Sequence, residues 1–204
     1  MFIPLFLALT LSGFSQTIEP APEDKAVIYF VRTVKGGMGS LANTYVFDAW
    51  EPIGMLTYQN FIRFECEPGE HMFWVTRSGI SLISYTYYKQ FVDADLLAGK
   101  IYLVEVRIQM EGIEMDPIDP LNNEKELFRV KKVLNRKSSI KANKWMEKRK
   151  YGVAKIDNSW AEMGMNKYEK FEEKGKIKFL DPEWFLEVEE LFLDKKDEPH
   201  KADL

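Results

Sequence analysis

Apolar residues come in short blocks along the first half of the chain and in a helical rhythm along the second. Ala26-Val-Ile-Tyr-Phe-Val-Arg32 is a run of β-branched and aromatic residues, the composition of a strand. Gly36-Gly37 marks a turn, Thr44-Tyr-Val-Phe-Asp48 a second strand, and Glu51-Pro-Ile-Gly54 a turn before a short strand at Met55-Leu56. Pro68-Gly69 has the chemistry of a type II turn, in which proline presets the first φ and glycine supplies the positive second one. With these two residues as a hairpin loop, Cys66 faces His71, Phe64 faces Phe73 and Ile62 faces Val75 on a buried side. Phe61, Arg63 and Glu65 then oppose Thr76, Trp74 and Met72 on the outer side. A slip of one residue would turn Arg63 and Glu65 inward, so the register is well specified. Leu82 to Val92 and Ile101 to Gln109 are further strands around a turn at Ala98-Gly99-Lys100. In the latter, Ile101, Leu103, Glu105 and Arg107 alternate with Tyr102, Val104, Val106 and Ile108, which predicts a half-exposed strand. Gly112 to Ile118 forms one more. Short strands with turn signals between them predict a mainly β fold, an antiparallel β-sandwich of about seven or eight strands.

The period changes near Asp119. Leu127, Val130 and Leu134 recur at helical spacing. Ser159-Trp-Ala-Glu162 is a capping box, followed by the stripe Trp160, Gly164, Tyr168 and Phe171 and by Gly175 as a stop. Asp181-Pro182 predicts a third helix, with Trp184, Val188 and Leu191 as its buried stripe. Ile140 to Ile156 is less regular, because Gly152 interrupts it. The resulting organisation is a signal peptide at 1–15, a leader at 16–24, a β-sandwich domain at 25–118, a helical tail at 119–196 and a disordered end at 197–204. The signal peptide rests on the apolar run Phe2 to Phe14 and on Gly13 and Ser15 as a small-x-small cleavage site. No Lys or Arg precedes that run, and it is shorter than the roughly 20 residues a membrane span needs. The expected location is therefore the periplasm or the exterior, with no transmembrane segment in the mature chain.

Composition sharpens this picture only in part. The chain has 204 residues, of which 46% are hydrophobic, enough for a packed core. Its one cysteine, Cys66, excludes an intramolecular disulfide. The net charge of −4 is unevenly spread. Gln16 to Asn123 carries 8 Lys/Arg against 15 Asp/Glu, Lys125 to Lys155 carries 12 against 2, and Asp181 to Leu204 carries 3 against 9. Opposite blocks in one chain pair internally as the default. The alternative is an anionic partner, a membrane surface or another polyanion, for the basic stretch 125–155.

Several of these segments, in order, resemble a known family. They are Val27-Ile-Tyr-Phe-Val-Arg32, Phe47-Asp48 with Pro52-Ile-Gly54, Pro68-Gly-Glu-His71, and Gly99-Lys-Ile-Tyr102. Together they resemble a bacterial envelope domain-of-unknown-function family, number 2846, over residues 25–118. The resemblance implies an exported β-domain and no particular activity. Leu103 stands where a second Tyr is frequent in that family, and the lipidated Cys of many members is absent.

Candidate chemistry is sparse. Cys66 opposite His71 could make a thiolate–imidazole pair or two ligands of a soft metal, with Glu65, Glu67 or Glu70 completing a set. Cys66 also continues the apolar face of Ile62 and Phe64, which favours a structural thiol. The second histidine, His200, lies in the charged end. Ser78-Gly-Ile-Ser81 lacks a nucleophile elbow, and Gly36-Gly37-Met38-Gly39 lacks the Lys and Ser/Thr of a phosphate loop. Asp93 and Asp95 are two apart on a strand, which places both on one face without implying acid–base work. Asp116, Asp119, Asn122 and Asn123 do not match calcium-loop spacing. Arg63 opposite Trp74 predicts an outer cation–π contact, and Tyr85, Tyr87 and Tyr88 predict strand packing. No residue is assigned a catalytic, cofactor or metal role, and no cofactor is expected. The expected function is that of a non-enzymatic binding or structural envelope module. A binder of anionic surfaces through 125–155 is one alternative, and a thiol- or carboxylate-dependent enzyme is the other.

Overall fold

The computed structural model describes residues 18–33, 44–80, 85–109, 112–136 and 158–193. The expected signal peptide, the expected turn at Gly36-Gly37, the segment Ile140 to Ile156, His200 and the charged end lie outside the described residues. So do the side chains of Ser159, Trp160, Tyr85, Tyr87 and Tyr88.

Two sheets face each other. One contains β1 (Ala26–Arg32), β4 (Phe61–Cys66), β7 (Ile101–Gln109), β8 (Gly112–Pro117) and β10 (Phe185–Leu186). The other contains β2 (Thr44–Asp48), β3 (Glu51–Leu56), β5 (Gly69–Ile80), β6 (Tyr85–Leu96) and β9 (Lys178–Leu180), in the order β3-β2-β5-β6-β9. The sandwich is mixed and not strictly antiparallel. β1 runs parallel to β7, and β6 runs parallel to β9. The far edge of β7 is divided, with β10 taking Ile101 and Tyr102 while β8 takes Val104 to Gln109.

The burial pattern explains the mixed pairing. Every residue of β1 is buried. It lies between β4 and β7, and both of its faces are covered, so its sequence is a continuous apolar run and not an alternation. Ala26, Ile28 and Phe30 point between the sheets, where they meet Val46, Phe73, Val75, Val92 and Val104. Val27, Tyr29 and Val31 point outward beneath α1 (Glu124–Leu134), which buries Val130, Val133 and Leu134 against them. The outer face of the second sheet carries Phe47, Trp74 and Phe91, covered by Tyr168 and Phe171 of α2 (Asn158–Glu172). The order of layers is helix, sheet, sheet, helix.

Four sequence expectations change here. Pro68-Gly69 does not close a hairpin. β4 pairs with β1, whereas β5 pairs with β2 and β6, so the chain crosses from one sheet to the other at Glu67-Pro68. The alternation itself holds, since Ile62, Cys66, Phe73 and Val75 all line the inter-sheet core. Alternation reports which face is buried and says nothing about which edge is hydrogen-bonded. Glu51-Pro-Ile-Gly54 belongs to β3, an edge strand where Pro52 is tolerated. The turn before it is Ala49-Trp50, with Ala49 at φ 46°.

β7 is central and not half-exposed, because the tail and α1 cover it. Glu105 is fully buried there. The helix expected at Asp181-Pro182 is replaced by a turn, in which Asp181 Oδ1 accepts from Glu183 N at 2.9 Å, then by β10 and a short 3-10 turn at Val188–Leu191. Trp184 packs into the inter-sheet core, whereas Val188 and Leu191 pack under α1. One helical stripe cannot serve two cores on opposite sides of a sheet.

Candidate functional site

The sheet crossover at Glu67-Pro68 brings the candidate thiol and imidazole together with a carboxylate. Asp48 ends β2, Cys66 ends β4, and His71 opens the inward face of β5. His71 Nδ1 lies 2.7 Å from Asp48 Oδ2, and its Nε2 lies 2.8 Å from the Glu67 carbonyl oxygen. The ring stacks on Phe73 with 5.3 Å between centroids. With an acceptor at each nitrogen, the doubly protonated ring is favoured. The Asp48 hydrogen bond, helped by that of Cys66 and resisted by burial, pushes the His71 pKa up to about 10.

This geometry is a clamp. A general base needs a free lone pair, and both ring nitrogens of His71 are spent as donors. The Cys66 thiol is buried among apolar neighbours, and its Sγ lies 3.9 Å from the Ala26 carbonyl, its acceptor. The arrangement ties the ends of β2, β4 and β5 together across the sandwich. Of the carboxylates considered beside Cys66, Glu67 pairs with Lys25 and Glu65 with Arg63. Among the described residues, no group of three His, Cys, Asp or Glu side chains is arranged to hold a metal ion.

The other candidates separate in space. Asp93 accepts from the Tyr168 hydroxyl at 2.7 Å and so anchors α2, while Asp95 is exposed. Asp116 pairs with Arg107 and Lys178. Asp119 Oδ1 accepts from Leu121 N at 2.9 Å, and Asp119 N donates to Asn123 Oδ1 at 2.9 Å, which closes the turn into α1. The hydrogen bond from the Asn122 side chain holds the Asp119 carboxyl below its ordinary pKa. Arg63 does not meet Trp74, because the two lie in different sheets. Arg63 pairs with Glu65 and donates to the Pro20 carbonyl at 3.2 Å, and the cation over Trp74 is Lys89, at 6.0 Å.

The sequence reading missed a second polar cluster, built around Glu105. Arg129 of α1 grips this carboxylate with two bonds, Nε to Oε1 at 3.1 Å and Nη2 to Oε2 at 2.9 Å. Thr33 Oγ1 donates to it as well. A basic residue at a helix position flanked by the buried Val130 was the available signal, and it was absorbed into the basic block. Part of the positive charge of 125–155 is therefore neutralised by the acidic body.

Among the described residues, no helix is long and apolar enough to cross a membrane. No family model matches the chain, and no curated protein matches it.

Proposed function

We propose that the chain is an exported, non-enzymatic envelope module, a β-sandwich scaffold that makes contacts through its surface. One observation carries the reading: the most reactive combination among the described residues, Cys66 beside His71 and Asp48, is consumed in holding the sandwich closed, with both imidazole nitrogens occupied. The apolar run at Phe2 to Phe14 supports export, as does the resemblance of residues 25–118 to the envelope family. The test is fractionation of cells producing the full chain, followed by cross-linking in intact cells and recovery of the adducts. The expected result is a shortened chain outside the cytoplasm, cross-linked to a reproducible envelope component. A full-length chain in the cytoplasm, or a loss of phenotype in Cys66→Ala with the fold intact, would overturn the reading.

A further inference from the structure

The outward face of α1 combines features that its buried face does not require. Residues three and four apart share one side of a helix, so Lys125, Phe128 and Lys132 form a stripe. That stripe lies opposite Val130, Val133 and Leu134, the side chains buried against the sheet. Lys125 and Lys132 are exposed, Phe128 is partly exposed, and Lys132 Nζ sits 5.8 Å from the Phe128 ring. Leu121 stands out of the turn that leads into the helix and is 90% exposed, the most of any large apolar side chain described. Phe192, 44% exposed, lies at the other end, where Asn135 Nδ2 donates to the Leu191 carbonyl at 2.8 Å. Arg129, by contrast, is turned toward Glu105 and takes no part in this face.

We infer that this face of α1 docks on an anionic phospholipid surface, with Leu121 and Phe128 entering the headgroup boundary and Lys125 and Lys132 contacting lipid phosphates. An isolated exposed leucine needs no explanation, but Phe128 set between Lys125 and Lys132 on one helix side, with exposed Leu121 in the turn just before the helix, matches what an interfacial contact requires. Charge selects the occupant. The helix itself carries four Lys/Arg against two Glu, and the sequence that follows it, 137–155, carries seven Lys/Arg against one Glu. An anionic surface gains from each added cation, whereas a second copy of the same basic face would repel it. The inference goes beyond the scaffold reading and does not depend on it.

The test is co-sedimentation of the full chain with phosphatidylcholine vesicles and with vesicles that also contain phosphatidylglycerol, at low and high salt. The quantity read is binding to the anionic vesicles in excess of the zwitterionic ones. The expected result is excess binding that falls with salt. Lys125→Gln and Lys132→Gln each weaken it roughly fivefold. Leu121→Ser with Phe128→Ser weakens it at least about tenfold and leaves the remainder fully salt-sensitive. Circular dichroism and thermal unfolding of each variant establish that the fold is retained, and Lys174→Gln, on the opposite side of the sandwich, serves as the charge control. Three results would overturn the inference: equal binding to both vesicle types, excess binding unchanged in a variant that combines Lys125→Gln, Lys132→Gln, Leu121→Ser and Phe128→Ser, or variants that change self-association but not sedimentation with vesicles.

Discussion

Two side chains carry predictions that follow from single contacts. A Cβ at Gly164 would lie 2.4 Å from Cζ2 of Trp74, a ring that is fully buried beneath α2 and donates through Nε1 to the Ala49 carbonyl at 2.7 Å. Alanine improves helix propensity by about 1 kcal/mol, but overpacking a rigid ring costs about 1–3 kcal/mol. Gly164→Ala is therefore expected to destabilise the chain by up to about 2 kcal/mol in chemical denaturation, instead of stabilising it as helix propensity alone would. The penalty should shrink in a Trp74→Phe background, which lacks the atoms that clash. His71 gives a pH signature. Its pKa rises from 6.5 in the unfolded chain to about 10 on folding, so the folded state holds the extra proton between those values. Its contribution is complete below pH 6.5 and is lost as pH rises toward 10. Lys89, held down to about 8 by burial and by Lys167, acts in the opposite sense above pH 8, so total stability mixes the two. The difference between wild type and His71→Gln isolates the histidine. That difference should be largest near pH 6 and nearly vanish by pH 10, as measured by denaturant titration across the range.

At the scale of elements, helix and sheet are joined by charge as well as by apolar contact. Glu105 is fully buried in β7, and Arg129 supplies two of its hydrogen bonds from α1. Arg129→Ala leaves that carboxylate with Thr33 and a more distant Arg107, whose Nε is 3.9 Å away. The expected loss is about 2–3 kcal/mol. Glu105→Leu with Arg129→Leu is expected to be less destabilised than Arg129→Ala alone, because no buried charge is left unpaired. A thermal melt of the three proteins checks the order. Such contacts set the limit of what could be read beforehand. The strand β1 was legible from its long apolar run, and β2, β4 and β7 from aromatic and β-branched residues set between turn signals. The Gly164, Tyr168, Phe171 stripe of α2 was legible from its helical period, and Gly175 ends the helix at φ 58° as expected. The partner of β4 was not legible, because facing across a sandwich and pairing in a hairpin demand the same alternation. The burial of Glu105 was not legible either, since it depends on an arginine 24 residues away in sequence. In the candidate site, the nearness of Cys66 and His71 was foreseen, but the role of Asp48 was not, because it arrives from another strand.

At the scale of the molecule, the residues after Asp119 are part of what closes the sandwich. β9 adds a strand to one sheet and β10 to the other. Leu180, Leu186 and Leu191 are buried, each at 2% exposure or less. Tyr102 ties the body to this segment through one hydroxyl, which donates to the Pro182 carbonyl and accepts from Leu97 N, both at 3.0 Å. α1 and α2 cover Tyr29, Val31, Trp74 and Phe91, aromatic and β-branched side chains that would otherwise face water on the outer sides of both sheets. Fully burying a large apolar side chain contributes roughly 1.5–3 kcal/mol, so exposing these four costs about 6–12 kcal/mol, comparable with the whole stability of an ordinary domain, about 5–15 kcal/mol. A chain ending at residue 118 is therefore expected to lack a cooperative unfolding transition and to bind a hydrophobic dye. Ending the chain at residue 175 keeps both helices and removes β9, β10 and the 3-10 turn, which tests the segment after α2 by itself. It exposes Leu180's site beside Val92 and the sites of Leu186 and Leu191 beside Ile101 and Val133. That shorter chain is expected to fold with a stability lower by at least about 4 kcal/mol, or not at all. A cooperative transition at the wild-type denaturant midpoint in the 118-residue chain would mean that the sandwich supports itself and that the tail is only docked upon it.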